Sequence, residues 1–136
     1  MNRRRIARGL NKSKVDSRKS RVEYMKIVHK NDAEILQISG NAVAVEYGGS
    51  QAIDGAVVEL SGKYPDTGRV VNTKCQELIY VIRGLGVVVV EGRETPFDAG
   101  DTLLIESGER YFFDAKATLF IASAPAWYPE QHKTID

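Results

Sequence analysis

Few residues in this chain can do chemistry. Cys75 is the only cysteine, and His29 and His132 are the only histidines. The sequence therefore holds no cysteine-rich zinc site and no intrachain disulfide. What remains is carboxylates and phenols. Glu77 opens the apolar run Glu77-Leu78-Ile79-Tyr80-Val81-Ile82, and Tyr111 sits in a second run, Arg110-Tyr111-Phe112-Phe113. A carboxylate and a phenol that meet in a partly dry pocket can act as general base and general acid on a small polar substrate, with burial raising the carboxyl pKa toward neutrality. Asn72, Thr73 and Cys75, just ahead of Glu77, supply an amide, a hydroxyl and a thiol as ligand-binding candidates. His29 and His132 lie outside both runs and read as surface or capping residues.

The elements that would position these groups are short and β-like, rich in Val, Ile, Leu or aromatics and closed by Gly, Pro, Asn or Asp. The expected strands are Glu23–His29, Ala33–Ser39, Ala42–Tyr47, Gly55–Leu60, Gly68–Asn72, Glu77–Ile82, Gly86–Val90, Thr102–Ile105, Arg110–Phe113 and Thr118–Ala122. No helical stripe longer than two turns occurs after Ala33. Short strands broken by turn signals predict an all-β sandwich or barrel in place of βαβ units. Arg83-Gly84-Leu85-Gly86 reads as a hairpin turn between two apolar runs. Phe97-Asp98-Ala99-Gly100-Asp101 reads as a tight turn before the Thr102 strand. Side chains alternate across a strand, so Glu77, Ile79 and Val81 share one face and Leu78, Tyr80 and Ile82 the other; Tyr111 and Phe113 likewise face together.

A chain of 136 residues with 43% apolar and 27% charged residues fits one soluble globular domain. No apolar run is long enough to span a bilayer, and no secretory signal is evident, so a cytoplasmic protein without membrane contact is expected. The net charge of +1 hides an asymmetry. Residues 1–30 hold eleven Lys or Arg against Asp16 and Glu23, about +9, whereas residues 31–136 come to about −8. Residues 1–21 are read as a basic arm and residues 22–136 as the barrel domain. The arm is a solvated tail, a nucleic-acid contact, or a strap on the acidic body or a second subunit. If Met25 is the physiological start, it has no role.

The stretch Glu77 to Gly84, a glutamate followed by a glycine at the seventh place after it, resembles the end of the first conserved motif of the cupin superfamily. Gly100-Asp101-Thr102-Leu103-Leu104-Ile105-Glu106-Ser107-Gly108-Glu109-Arg110-Tyr111 resembles the second, and fifteen residues separate Gly84 from Gly100, as in small single-domain cupins. The resemblance covers about residues 40–125 and implies a double-stranded β-helix, or jelly-roll-like barrel, with Glu77, Ile79 and Val81 pointing inward. In metal-binding cupins, the resemblance implies, two histidines and the glutamate of the first motif join a third histidine from the second. Here the first two positions fall on Val71 and Thr73, or on Val70 and Asn72 with a longer spacer, and Tyr111 replaces the third. One carboxylate with an amide, thiol or phenol is a poor set for a divalent metal, so no metal and no cofactor are expected.

The expected interior is apolar, with Ile79, Val81 and Phe113 as walls and Glu77 and Tyr111 near one mouth. That is the usual form of a small-molecule site. Several readings stand at this point: a metal-free barrel that binds or isomerises a small sugar-like molecule, a non-catalytic sensor or structural barrel with a Glu77–Tyr111 plug, a metal-dependent isomerase or dioxygenase, and a barrel brought to nucleic acid by its arm. The apolar face of Leu78, Tyr80 and Ile82 predicts a homodimer. A monomer in sedimentation over a wide concentration range would exclude it.

Overall fold

The structure is a computed structural model that describes residues 25–136. The basic arm, residues 1–21, lies outside the described residues. Nine strands follow: β1 (Glu34–Ser39), β2 (Ala42–Gly49), β3 (Asp54–Tyr64), β4 (Arg69–Asn72), β5 (Gln76–Val90), β6 (Arg93–Asp98), β7 (Thr102–Ile105), β8 (Arg110–Ala124) and β9 (His132–Ile135). Two single 3-10 turns, Lys30–Asp32 and Pro129–Gln131, are the helical pieces among these residues, and no helix is long and apolar enough to cross a membrane.

The strands pair antiparallel into one curled sheet. Strand β8 is its spine, pairing with β3 from Phe113 to Ser123 and with β5 from Tyr111 to Ala124. Strand β5 carries β7 against its first half and β6 against its second. On the other side the order runs β3, β2, β1, while β4 bridges β8 and β9. Curling turns one face of the central strands inward. Ala42, Ala44 and Glu46 of β2, Ala56, Val58 and Leu60 of β3, Glu77, Ile79 and Val81 of β5, and Tyr111 and Phe113 of β8 are all buried. The period-2 pattern therefore places Glu77 inside and leaves Leu78, Tyr80 and Ile82 40–53% exposed, together with Leu104 and Phe120. Phe113 anchors the core edge-on to both Phe97 (6.0 Å) and Tyr111 (5.8 Å).

The turn between Phe97 and Asp101 forms as expected. Gly100 has φ +95, and Asp98 donates its backbone N–H to the Asp101 carboxylate at 2.9 Å. The expected hairpin at Arg83–Gly86 does not form. Residues 76–90 are one strand with a register shift between Val81 and Arg83. The glycines serve close approach instead of reversal. Gly84 and Gly86 lie opposite Ala117 and Ala115 of β8, and a Cβ at either would sit 2.1–2.2 Å from β8 atoms. The reversal comes at Glu91-Gly92, both at positive φ (50 and 80), between β5 and β6. Residues 110–124 are likewise one strand, and the expected strand over Glu23–His29 is absent from its described part, residues 25–29, which is exposed except at Val28. Strands β6 and β9 were not expected: the first carries Pro96 and charged residues, the second is apolar at one position in four, and each is held by its partner strand and not by its own composition.

Arg110 fastens the β5–β6 turn. Its guanidinium donates to Glu91 at 2.6 Å and its backbone N–H donates to the same carboxylate at 2.7 Å. These bonds lower the Glu91 pKa from 4.5 to about 2, the side-chain bond first and the backbone bond second. A lowered carboxyl pKa stabilises the fold fully above 4.5, and the contribution fades as pH falls through 2. We expect the urea midpoint of the protein to fall between pH 4.5 and 2 more steeply than that of Glu91→Gln. The difference should shrink in high salt, because the pair lies at the surface. Parallel curves would show that the pair does not form in solution.

Candidate functional site in the barrel

The curled sheet encloses a cavity of about 580 Å³. Its walls are apolar at Ala44, Ala56, Val58, Leu60, Val70, Leu119 and Ile121, with polar groups concentrated at Glu46, Tyr64, Glu77, Tyr111 and His132, and with Trp127 beside them. Gln37, Ser39, Asp66 and Thr67 also line it, and Asp66 accepts the Gly40 backbone N–H at 3.1–3.2 Å, tying the β1–β2 turn to the β3–β4 loop.

Glu77 is 5% exposed, and Ser123 Oγ lies 3.5 Å from its Oε2, the outer limit of a hydrogen bond. Tyr111 is 3% exposed. Burial pushes its phenol pKa well above the ordinary value, and the negative charge of Glu77 adds to the rise, with the Asn72 side chain opposing it. Tyr111 therefore keeps its proton throughout the neutral range and can only donate or share it. Structure thus brings Glu77, Tyr111 and Phe113 to one cavity.

The other sequence-derived candidates fall elsewhere. Asn72 is buried just behind the lining, where its Oδ1 accepts from Gln131 Nε2 at 3.0 Å and lies 2.7 Å from His132 Nδ1. Thr73 is exposed, and its hydroxyl donates to the Gln131 carbonyl at 2.9 Å. Cys75 is fully buried, with its backbone N–H donating to Gln131 Oε1 at 3.2 Å. Ile79 and Val81 are fully buried core residues that do not line the cavity.

His132 corrects the expectation of a surface histidine in a tail. Strand β9 pairs with β4 so that His132 lies opposite Asn72. Its ring lines the cavity, 3.2 Å from the Tyr64 hydroxyl and 5.3 Å from the Trp127 ring. Glu46 and Tyr64 were also missed, although each continues the inward parity of its strand: Glu46 after Ala42 and Ala44, and Tyr64 after Leu60.

The inward parity also decides between the two alignments of the first motif. Val70 and Asn72 point in, 1% and 2% exposed, whereas Val71 is half-buried and Thr73 exposed. The positions resembling the metal-ligand set are then an alkyl group, an amide, a carboxylate and a phenol. Among the described residues no three His, Cys, Asp or Glu side chains are grouped so as to hold a metal ion, and the donors do not fit the metal that such barrels carry.

Comparison with solved structures agrees with this topology. The nucleoside dehydratase Pac13, in a Streptomyces Pac13 variant with uridine, superposes with a TM-score of 0.75 at 16% identity, over 83% of this chain and 92% of that one. The polyketide cyclase RemF from Streptomyces resistomycificus gives 0.65 at 17% identity, over 83% and 87%. An RmlC-like cupin from Shewanella frigidimarina gives 0.64 at 19%, over 76% and 93%. The fold is that of a cupin. No family model matches the sequence and no curated protein matches it, so the likeness of this barrel to its neighbours is one of fold.

Proposed function

We propose that the cupin cavity binds a small sugar-bearing molecule without a metal, a nucleoside being the first class to test, and that Glu77 and Tyr111 act on it as proton acceptor and donor. The observation that carries this reading is the composition of the cavity. About 580 Å³ of mostly apolar space is ringed by three carboxylates, two phenols, an imidazole and an indole. Binding cavities of roughly 300–1,000 Å³ with a few convergent polar groups are the common form of small-molecule sites. Hydroxyl-rich ligands need acceptors, which Glu46 and Glu77 supply. An aromatic ring needs a flat apolar surface, which Trp127 and Phe113 supply. The uridine held by the Pac13 variant supports the same class of ligand.

The test is calorimetric titration of the full chain with uridine and a panel of aldoses. Saturable binding of one of them is expected, weakened at least tenfold in Ala44→Phe. Ala44 is 2% exposed and lines the cavity, so a benzyl group there enters the space that the ligand needs. Absence of binding across the panel, or binding indifferent to Ala44→Phe, would overturn the reading.

A further inference from the structure

The hydrogen-bond chain behind the cavity fixes the proton of His132. Backbone N–H groups of Lys74 (3.0 Å) and Cys75 (3.2 Å) both donate to one side-chain atom of Gln131, which must therefore be its oxygen. Its other atom, Nε2, is then a donor, and the Asn72 atom that it meets at 3.0 Å must be oxygen. The same oxygen lies 2.7 Å from His132 Nδ1. An amide oxygen only accepts, so Nδ1 must carry a proton. In the neutral ring Nε2 is left as a lone pair, and it lies 3.2 Å from the Tyr64 hydroxyl, which donates to it.

We infer that neutral His132 is locked as its Nδ1–H tautomer, and that Tyr64 and His132 Nε2 form a second proton-accepting pair on the wall of the cavity that Glu77 and Tyr111 also line. A proton leaving the bound molecule goes to the Tyr64 oxygen as the Tyr64 proton moves to Nε2, and the electron pair stays on the substrate atom. The imidazolium so formed keeps its Nδ1–H on Asn72. Both rings line the cavity, so the pair is placed to meet a ligand directly. The role in catalysis rests on the cavity being the ligand site; the tautomer does not.

Two histidines make the test direct. Long-range proton–nitrogen NMR of the ligand-free full chain, assigned with His132→Gln, reads which ring nitrogen is protonated. The expected result above the titration of His132 is a protonated Nδ1 and a bare Nε2. Asn72→Leu should return the ring toward the Nε2–H form that free imidazole prefers, and Tyr64→Phe should shift Nε2 alone. Should Asn72→Leu fail to fold, Asn72→Asp preserves an acceptor and places a negative charge at Nδ1, which should raise the pH at which His132 loses its charge. The other titratable groups on the cavity are Glu46 on β2, Tyr64 on β3, Glu77 on β5, Tyr111 on β8 and Asp66 in the β3–β4 loop, and all are unchanged in that variant. An Nε2–H ring in the wild type, or a titration unmoved by Asn72→Asp, would overturn the inference. Failure of uridine and the aldoses to bind would overturn the proposed function and leave the tautomer standing.

Discussion

Gly84→Ala is expected to lose most of the stability of this barrel. At φ +93 an L-residue carries backbone strain of roughly 1–3 kcal/mol. Its Cβ would stand 2.1 Å from the Lys116 carbonyl oxygen and 2.6 Å from Ala117 Cα. Both are backbone atoms of β8, which is itself pinned by β3 on its other edge, so neither can step aside as a side chain would. Overpacking of this kind adds roughly 1–3 kcal/mol, and the two together approach the lower end of the roughly 5–15 kcal/mol that holds a small domain folded. Gly92→Ala is the control. That glycine has φ +80 with no atom within 4 Å of a built Cβ, so only the left-handed backbone cost of about 1–2 kcal/mol applies. Urea denaturation of both should place Gly84→Ala well below Gly92→Ala. Equal midpoints would mean that β5 and β8 do not approach as closely as Gly84 requires.

The same residue shows what a local reading of the sequence can and cannot recover. Arg83-Gly84-Leu85-Gly86 carries the signature of a turn because glycine supplies positive φ. Glycine is equally needed where two backbones meet, and the distinction lies in Ala115 and Ala117, some thirty positions away. Nothing near Gly84 announces them. Alternation, by contrast, is local: it put Glu77, Ile79 and Val81 on one face and Leu78, Tyr80 and Ile82 on the other, and the cupin resemblance implied which face turns inward. Spacing of Glu77, Gly84, Gly100 and Gly108 was enough to suggest the cupin-type barrel, although in the fold only Gly100 and Gly108 stand in turns while Gly84 lies within β5.

The candidate site was only half legible. Glu77 and Tyr111 lie in runs whose pattern points to strands, and the structure sets them in one cavity. His132 could not be found this way. Its partners, Asn72 and Tyr64, are 60 and 68 positions distant, and its strand β9 exists because β4 offers it an edge. Thr73 and Cys75 were drawn in by proximity to Glu77 in sequence, yet in the fold both serve Gln131. That service is not idle, since Gln131 orients Asn72 and through it His132.

Glu77→Gln is the substitution expected to cost most in function. The amide keeps the shape of the side chain and a partner for Ser123, so the thermal midpoint should stay close to that of the wild type. What it removes is the carboxylate charge that acts on Tyr111 and with it the proton acceptor assigned to that pair. General acid–base groups typically contribute about 10²–10⁴ in rate. Turnover of a ligand found by the calorimetric panel should fall by that factor, while its dissociation constant moves much less. A second readout needs no substrate. Burial is the first cause of the high Tyr111 pKa and the charge of Glu77 the second, so neutralising Glu77 should lower the alkaline titration of Tyr111 while leaving it above that of an exposed tyrosine. A closed Glu77–Tyr111 plug with no substrate predicts the titration shift without any loss of activity, because there would be none to lose. A shift together with lost turnover would make Glu77 the proton acceptor. An unmoved Tyr111 would mean that the two groups do not face each other across the cavity, and the acid–base assignment would fall with it.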